Sequence, residues 1–202
     1  MSMIIGNAVA IAQRDLKRML AYSGIAHVGY MLIAMLSVRD QSVAAVTVYV
    51  ITYALMNIGA FGVVSMLAKN QNDPQTLDDI AGLGFRRPFY GLALTICMFS
   101  LSGLPPTAGF IAKFYVFKTA VDSGYTGIAL VGILTSIVSV YYYLRVVYYL
   151  YMKEAPEGYA VPVAGMFATG ALAISMVGIF VIGIFPTPLF EMAGAAAHAL
   201  LP

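Results

Sequence analysis

Charge is scarce in this chain. Only 10% of its 202 residues are Asp, Glu, Lys or Arg, and 61% are hydrophobic, whereas soluble domains carry roughly 25% charged residues. One cysteine, Cys97, lies in an apolar run, which excludes an internal disulfide and a cysteine-ligated cluster. No glycine-rich phosphate loop, paired-cysteine motif or nucleophile with an accompanying base can be found. The chain is therefore expected to bind no cofactor of its own. A net charge of only +2, spread over separate turns, argues against nucleic acid as a partner, since nucleic-acid binders cluster Lys and Arg on one face.

What the chain has in abundance is long apolar runs, with a mean hydropathy of +0.86. A crossing needs about 20 mostly apolar residues to traverse about 30 Å of hydrocarbon. Leu16 to Val38, Val43 to Ala68, Pro88 to Asp122, Gly127 to Met152 and Val161 to Phe185 each qualify. The sequence predicts an all-α, polytopic transmembrane bundle with five crossings in a lipid bilayer. Met1 to Ala12 is apolar but too short to cross alone, and it lacks the basic leader and cleavage site of a secretory signal. It reads as the tail of a sixth helix in a chain truncated at that end.

If the turn Gln13 to Arg18 lies on one side, later turns alternate. That side collects Arg14, Lys17, Arg18, Lys69, Arg86, Arg87 and Lys153, and the other keeps Arg39 and Lys118. The Lys/Arg bias predicts that the first side is cytoplasmic and that the C-terminus lies on the opposite face.

Polar side chains within spans are costly and face a bundle interior or a wet cavity. In the first full span Ser23, His27 and Tyr30 share one face. His27 lies about 18 Å along the helix from Asp15, near the bilayer middle. It reads either as hydrogen-bonding glue between helices or as a proton relay titrating near pH 6.5 in model compounds. Lys17 opens the same helix, where position alone favours snorkelling to the headgroups. Tyr49, Tyr53 and Asn57 form a stripe on the second span, either packing or lining a channel. Between Lys69 and Arg87, Leu77, Ile80 and Leu83 recur at three-residue steps, which fits a short surface helix or a solvated connector.

The third element is the most informative. From Pro88 to Asp122 a straight helix of 35 residues would run about 52 Å, too long for one span. The break is written at Ser102 to Gly109, where Pro105 and Pro106 remove backbone donors and Gly103 and Gly109 permit unwinding. Broken helices are tolerated at depth where the freed backbone lines a cavity or is buried in protein. Lys113 follows, about 14 Å along the helix from Asp122 and so near the midplane. The spans contain no carboxylate to pair with it. Lys113 reads either as a cap on unwound carbonyls or as an exchangeable proton carrier, because burial penalises its charged form.

Tyr141, Tyr142, Tyr143, Tyr148, Tyr149 and Tyr151 read mostly as an aromatic belt. Arg145 either pairs or snorkels, and Thr135, Ser136 and Ser139 give the deeper part of that span a mildly polar face. The last span has no ionisable residue and reads as packing, followed by a short interfacial tail bearing Glu191 and His198.

Three stretches resemble one family. Asp15-Leu16-Lys17-Arg18-Met19-Leu20-Ala21-Tyr22-Ser23-Gly24-Ile25-Ala26-His27-Val28-Gly29-Tyr30 is similar to a signature of antiporter-like membrane subunits. Leu101-Ser102-Gly103-Leu104-Pro105-Pro106-Thr107-Ala108-Gly109-Phe110-Ile111-Ala112-Lys113-Phe114-Tyr115 resembles their broken helix, and Tyr141 to Arg145 resembles the helix after it. Within the family the lysine and its flank look like the subunit N branch of bacterial NADH-quinone oxidoreductase, respiratory complex I, called subunit 2 in mitochondria and chloroplasts. Gly24 departs from the serine often found there.

The resemblance implies a fold of two inverted five-helix repeats, of which residues 1–152 match the second, its first helix being partial. Residues 153–202 then add a C-terminal transmembrane helix and an interfacial tail. It implies that Lys113 is the central lysine of the second broken helix, with His27 and Lys17 on or beside a polar axis lined by Tyr30, Tyr53, Asn57 and Ser139. The implied activity is proton translocation in the bacterial inner membrane, coupled to electron transfer to quinone. The NADH and quinone sites would sit on other subunits, and the other membrane subunits of the complex would be the partners. Two alternatives remain: an Mrp-type sodium/proton antiporter subunit, or a structural module bridging neighbouring subunits.

Overall fold

The computed structural model describes residues 1–36, 40–67, 76–154 and 165–200. Val38, Arg39, Ala68, Lys69 and Val161, which entered the reading above, lie outside them. The described residues form helices α1 (Ser2–Ala12), α2 (Leu16–Ala34), α3 (Asp40–Met66), α4 (Leu83–Arg86), α5 (Pro88–Ser102), α6 (Ala108–Asp122), α7 (Thr126–Met152), α8 (Met166–Ile184) and α9 (Thr187–Leu200). A 3-10 turn, Asp78–Ile80, precedes α4.

Local chemistry sets the ends. Asp15 caps α2 by accepting the Arg18 backbone N–H at 2.8 Å, satisfying one of the free donors of a helix start. Pro88 occupies the first turn of α5, where its missing N–H costs nothing. Gly103 closes α5 at φ 86, with Gly103 N–H on Ser100 O and Leu104 N–H on Phe99 O, the left-handed cap that favours glycine.

The pattern of burial is that of a membrane bundle. Polar side chains such as Asn7, His27 and Lys113 are buried beside apolar ones such as Leu20 and Leu94, whereas Leu134, Ile137, Ile174, Val177 and Phe185 stand exposed. Gln41–Met66, Thr126–Met152 and Met166–Ile184 are each long and apolar enough to cross as single helices. α5 and α6 are 15 residues each and cross only together, so the long third element is broken where the prolines predict. The chain is a multi-pass membrane protein.

One connector differs from expectation. Leu77, Ile80 and Leu83 do not rest on the surface: they are buried in the main core with Leu16, Met19 and Val146. Thr76 bridges Asp15, and Gly82 N–H donates to Tyr149 O at 3.2 Å, so the segment plugs the bundle end. The C-terminal tail is a helix folded back on α3, where Ala193 packs with Ala44 and Val48.

Candidate functional site

The break in the third element leaves free backbone groups on both sides, and side chains satisfy them. On the α6 side, Gly109 N–H donates to Ser100 Oγ at 3.0 Å. On the α5 side, the Lys113 ammonium donates to Leu101 O and Ser102 O, each at 2.9 Å. A cation at a helix C-terminus is favoured by the helix dipole. The third ammonium proton goes to Ser136 Oγ on α7 at 2.9 Å. Lys113 is 5% exposed, and its three donors find two carbonyls and a hydroxyl, with no carboxylate among them. The geometry is that of a cap on unwound carbonyls, made by a buried lysine with no carboxylate partner among the described residues.

A polar cluster continues inward from Lys113. Its Nζ lies 5.4 Å from the centre of the Tyr30 ring, within cation–π range. The Tyr30 hydroxyl accepts from Asn7 Nδ2 at 2.9 Å, and Asn7 Oδ1 accepts from the Tyr142 hydroxyl at 2.9 Å. The His27 ring meets Tyr30 edge-on at 5.7 Å and lies 4.9 Å from the Tyr53 ring. Its Nδ1 bonds the Tyr49 hydroxyl at 2.8 Å and its Nε2 the Tyr143 hydroxyl at 3.1 Å. A neutral imidazole has one donor and one acceptor nitrogen, so one tyrosine donates to the ring and the other accepts from it. Lys113, Tyr30 and His27 thus form a continuous buried line joining α6 to α2, α3 and α7.

Other expected residues stand apart. Lys17 is half-buried at the start of α2, ten residues and about 15 Å of helix from His27, and joins no hydrogen bond of this cluster. Asn57 donates to Tyr53 O of its own helix at 2.9 Å. Ser139 is buried and donates to Ser136 O at 2.6 Å, one turn from the Lys113 contact. Tyr142 and Tyr143 are not belt residues, being fully buried, whereas Tyr141 and Tyr148 are exposed. Among the described residues Arg145 forms no ion pair; its Nη1 and Nη2 donate to Ile11 O at 3.1 Å and Gln13 O at 2.6 Å, capping α1.

Asn7, Ser136, Tyr142 and Tyr143 were not among the candidates from sequence. A signal existed for two of them: Ser136 and Tyr143 stand at i and i+7 on one helix face with the expected Ser139 at i+3. Asn7 is an isolated amide in an apolar helix, a costly residue that calls for a partner.

A groove of about 580 Å³ opens between α6 and α7, with Lys113, Ser102 and Ser136 on its floor and Phe114, Phe117 and Ile137 among its walls. The exposed ion pair of Lys118 with Asp122, at 2.7 Å, borders it.

The family model described as "NADH:quinone oxidoreductase/Mrp antiporter, TM" matches residues 1–139. NADH-quinone oxidoreductase subunit N of Trichlorobacter lovleyi is 44% identical over 205 residues, covering 99% of this chain and 41% of its own length. The chain thus spans about two fifths of the length of the curated relatives it matches. A chain in the structure of respiratory complex I from Thermus thermophilus with bound aureothin is 34% identical and superposes with a TM-score of 0.84. That match covers 94% of this chain and 43% of that one. A chain of the Mrp complex from Dietzia sp. DQ12-45-1b gives a TM-score of 0.86 at 20% identity, covering 98% and 45%, and so shares the fold.

Proposed function

Because the chain belongs to the NADH:quinone oxidoreductase/Mrp antiporter transmembrane family, we propose that it works as part of a proton-translocating membrane subunit of NADH-quinone oxidoreductase, of the subunit N type. The observation that carries the reading is the buried Lys113 ammonium, held by two carbonyls and Ser136 at the break and joined through Tyr30 to His27. Among the described residues this buried lysine has carbonyl and hydroxyl partners and no carboxylate to fix its charge, the arrangement this reading assigns to a proton carrier. Names at 40–44% identity favour subunit N over an Mrp antiporter, since the Mrp likeness at 20% identity carries the fold alone.

In this reading the other membrane subunits of the complex are the partners, and NADH, quinone and the redox cofactors belong to other chains. The chain contributes to the oxidoreductase without a redox site of its own. Residues 1–152 form the second repeat and residues 153–202 the added helix and tail. The protein sits in the bacterial inner membrane, with its C-terminus on the non-cytoplasmic side. A charge or conformational signal arriving along the His27–Tyr30 line shifts the protonation of Lys113, which takes up or releases one proton. Lys17 acts at the cytoplasmic end of the axis, and Tyr53, Asn57 and Ser139 line it.

The test is Lys113→Met in the parent complex, with the ratio of protons pumped to electrons transferred measured in proteoliposomes. A lower ratio in a fully assembled complex supports the carrier role. An unchanged ratio makes Lys113 a structural cap and turns the assignment toward a bridging module.

A further inference from the structure

Resting on the carrier role of Lys113, we infer that Ser136 is the residue through which Lys113 exchanges its proton with water in the α6–α7 groove. The three partners of the ammonium are not equivalent. Leu101 O and Ser102 O are carbonyls that only accept, at 2.9 Å each. Ser136 Oγ, also at 2.9 Å, is a hydroxyl that both accepts and donates. When Lys113 is an ammonium, Ser136 accepts its third proton; when Lys113 is a neutral amine, the same hydroxyl can turn and donate to the nitrogen lone pair. Both charge states are then hydrogen-bonded without any backbone movement.

Ser136 also faces the way out. Lys113 is buried, but Ser136 is only half-buried and shares the groove floor with it. Among the described residues, the Ser136 hydroxyl proton has no acceptor. The Thr135 hydroxyl takes Val131 O and Gly132 O instead, and the Ser139 hydroxyl takes Ser136 O. The groove, at about 580 Å³ and mostly apolar in its lining, has volume for several waters, and the exchanging water would stand against Ser136, Lys113 and Ser102, the polar groups at the break. In the release step a Lys113 N–H bond breaks and an O–H bond forms at Ser136, while the original Ser136 proton passes to a groove water, giving hydronium and a neutral amine. Uptake is the reverse.

The test compares Ser136→Ala, Ser136→Thr and Lys113→Met in the assembled parent complex, reading protons pumped per electron in proteoliposomes. Ser136→Ala is expected to lower the ratio toward that of Lys113→Met, and Ser136→Thr, which keeps the hydroxyl, to restore it. An equal loss in the Ala and Thr variants overturns the relay, because shape rather than the hydroxyl is then what matters. A normal ratio in Ser136→Ala beside a low one in Lys113→Met also overturns it, leaving Lys113 as a carrier. Normal ratios in both remove the carrier and the relay together.

Discussion

A Cβ placed on Gly109 would overlap the carbonyl oxygen of Ser100, so the two halves of the broken helix meet backbone to backbone. The same approach lets Gly109 N–H reach Ser100 Oγ at 3.0 Å, and α8 seats Gly183 against Pro106 from the other side. The break is therefore a packed joint whose geometry fixes where Lys113 stands relative to Leu101 and Ser102. Because the clash is with backbone, no side-chain rotation relieves it. Overpacking a core ordinarily costs about 1–3 kcal/mol, and Gly109→Ala is expected to reach the upper end of that range and to lower the amount of assembled complex. Gly170→Ala, where a Cβ meets nothing within 4 Å, is the matched control and should change stability by no more than about 0.5 kcal/mol. Equal melting of the two variants in detergent would show that the joint has slack.

Arg145 should behave as a cap rather than as a lipid anchor. Its guanidinium spans Ile11 O at 3.1 Å and Gln13 O at 2.6 Å, tying the end of α1 to α7 with a fork that lysine cannot reproduce. Hydrogen bonds from a charged group contribute about 1.5–3 kcal/mol. Arg145→Met is expected to lower the melting temperature of the complex clearly, and Arg145→Lys to recover only part of the loss. Full recovery with lysine would mean that charge alone is what α1 needs.

The fold and the centre of the site were legible because each rests on something rare. Hydropathy predicted the spans, two adjacent prolines predicted the break, and an ionisable residue in an apolar run marked Lys113 and His27. What was less legible depends on rotation about a helix axis. Tyr142 and Tyr143 sit in the same tyrosine run as the exposed Tyr141, and composition cannot tell an inward tyrosine from an interfacial one. The 3.6-residue period could have done so, through the face shared with Ser136 and Ser139. Leu77, Ile80 and Leu83 dock into the bundle through backbone pairing of Thr76 with Asp15, a contact between distant segments that no local pattern encodes. Lys17 shows the converse: a place in a motif did not bring its side chain into the central hydrogen-bonded cluster.

His27 offers a test of whether the buried line is a coupled unit. Its two ring nitrogens are bonded to Tyr49 and Tyr143 at 2.8 and 3.1 Å, so Tyr143→Phe leaves a buried nitrogen without a partner, at a cost of about 1–3 kcal/mol. In a His27→Phe background that nitrogen is absent, and the further cost of Tyr143→Phe should largely disappear. A double-mutant cycle on the melting of the complex measures this directly. Simple additivity of the two changes would mean that the hydroxyl and the imidazole act independently.

At Gly24 a Cβ would stand 2.8 Å from the Tyr53 hydroxyl. The absence of a side chain at Gly24 is what admits that hydroxyl, and with it the Tyr53 ring that leans on His27 at 4.9 Å. The obstacle is the tip of a flexible side chain, so Gly24→Ala is expected to cost only about 1 kcal/mol while shifting Tyr53 away from His27. If the His27 environment matters to translocation, the proton-to-electron ratio falls in Gly24→Ala and recovers in Gly24→Ala with Tyr53→Phe, which removes the clashing oxygen and keeps the ring. Failure of the second change to restore the ratio would trace the defect to the α2 backbone instead, because only the hydroxyl stands within 3 Å of the added carbon.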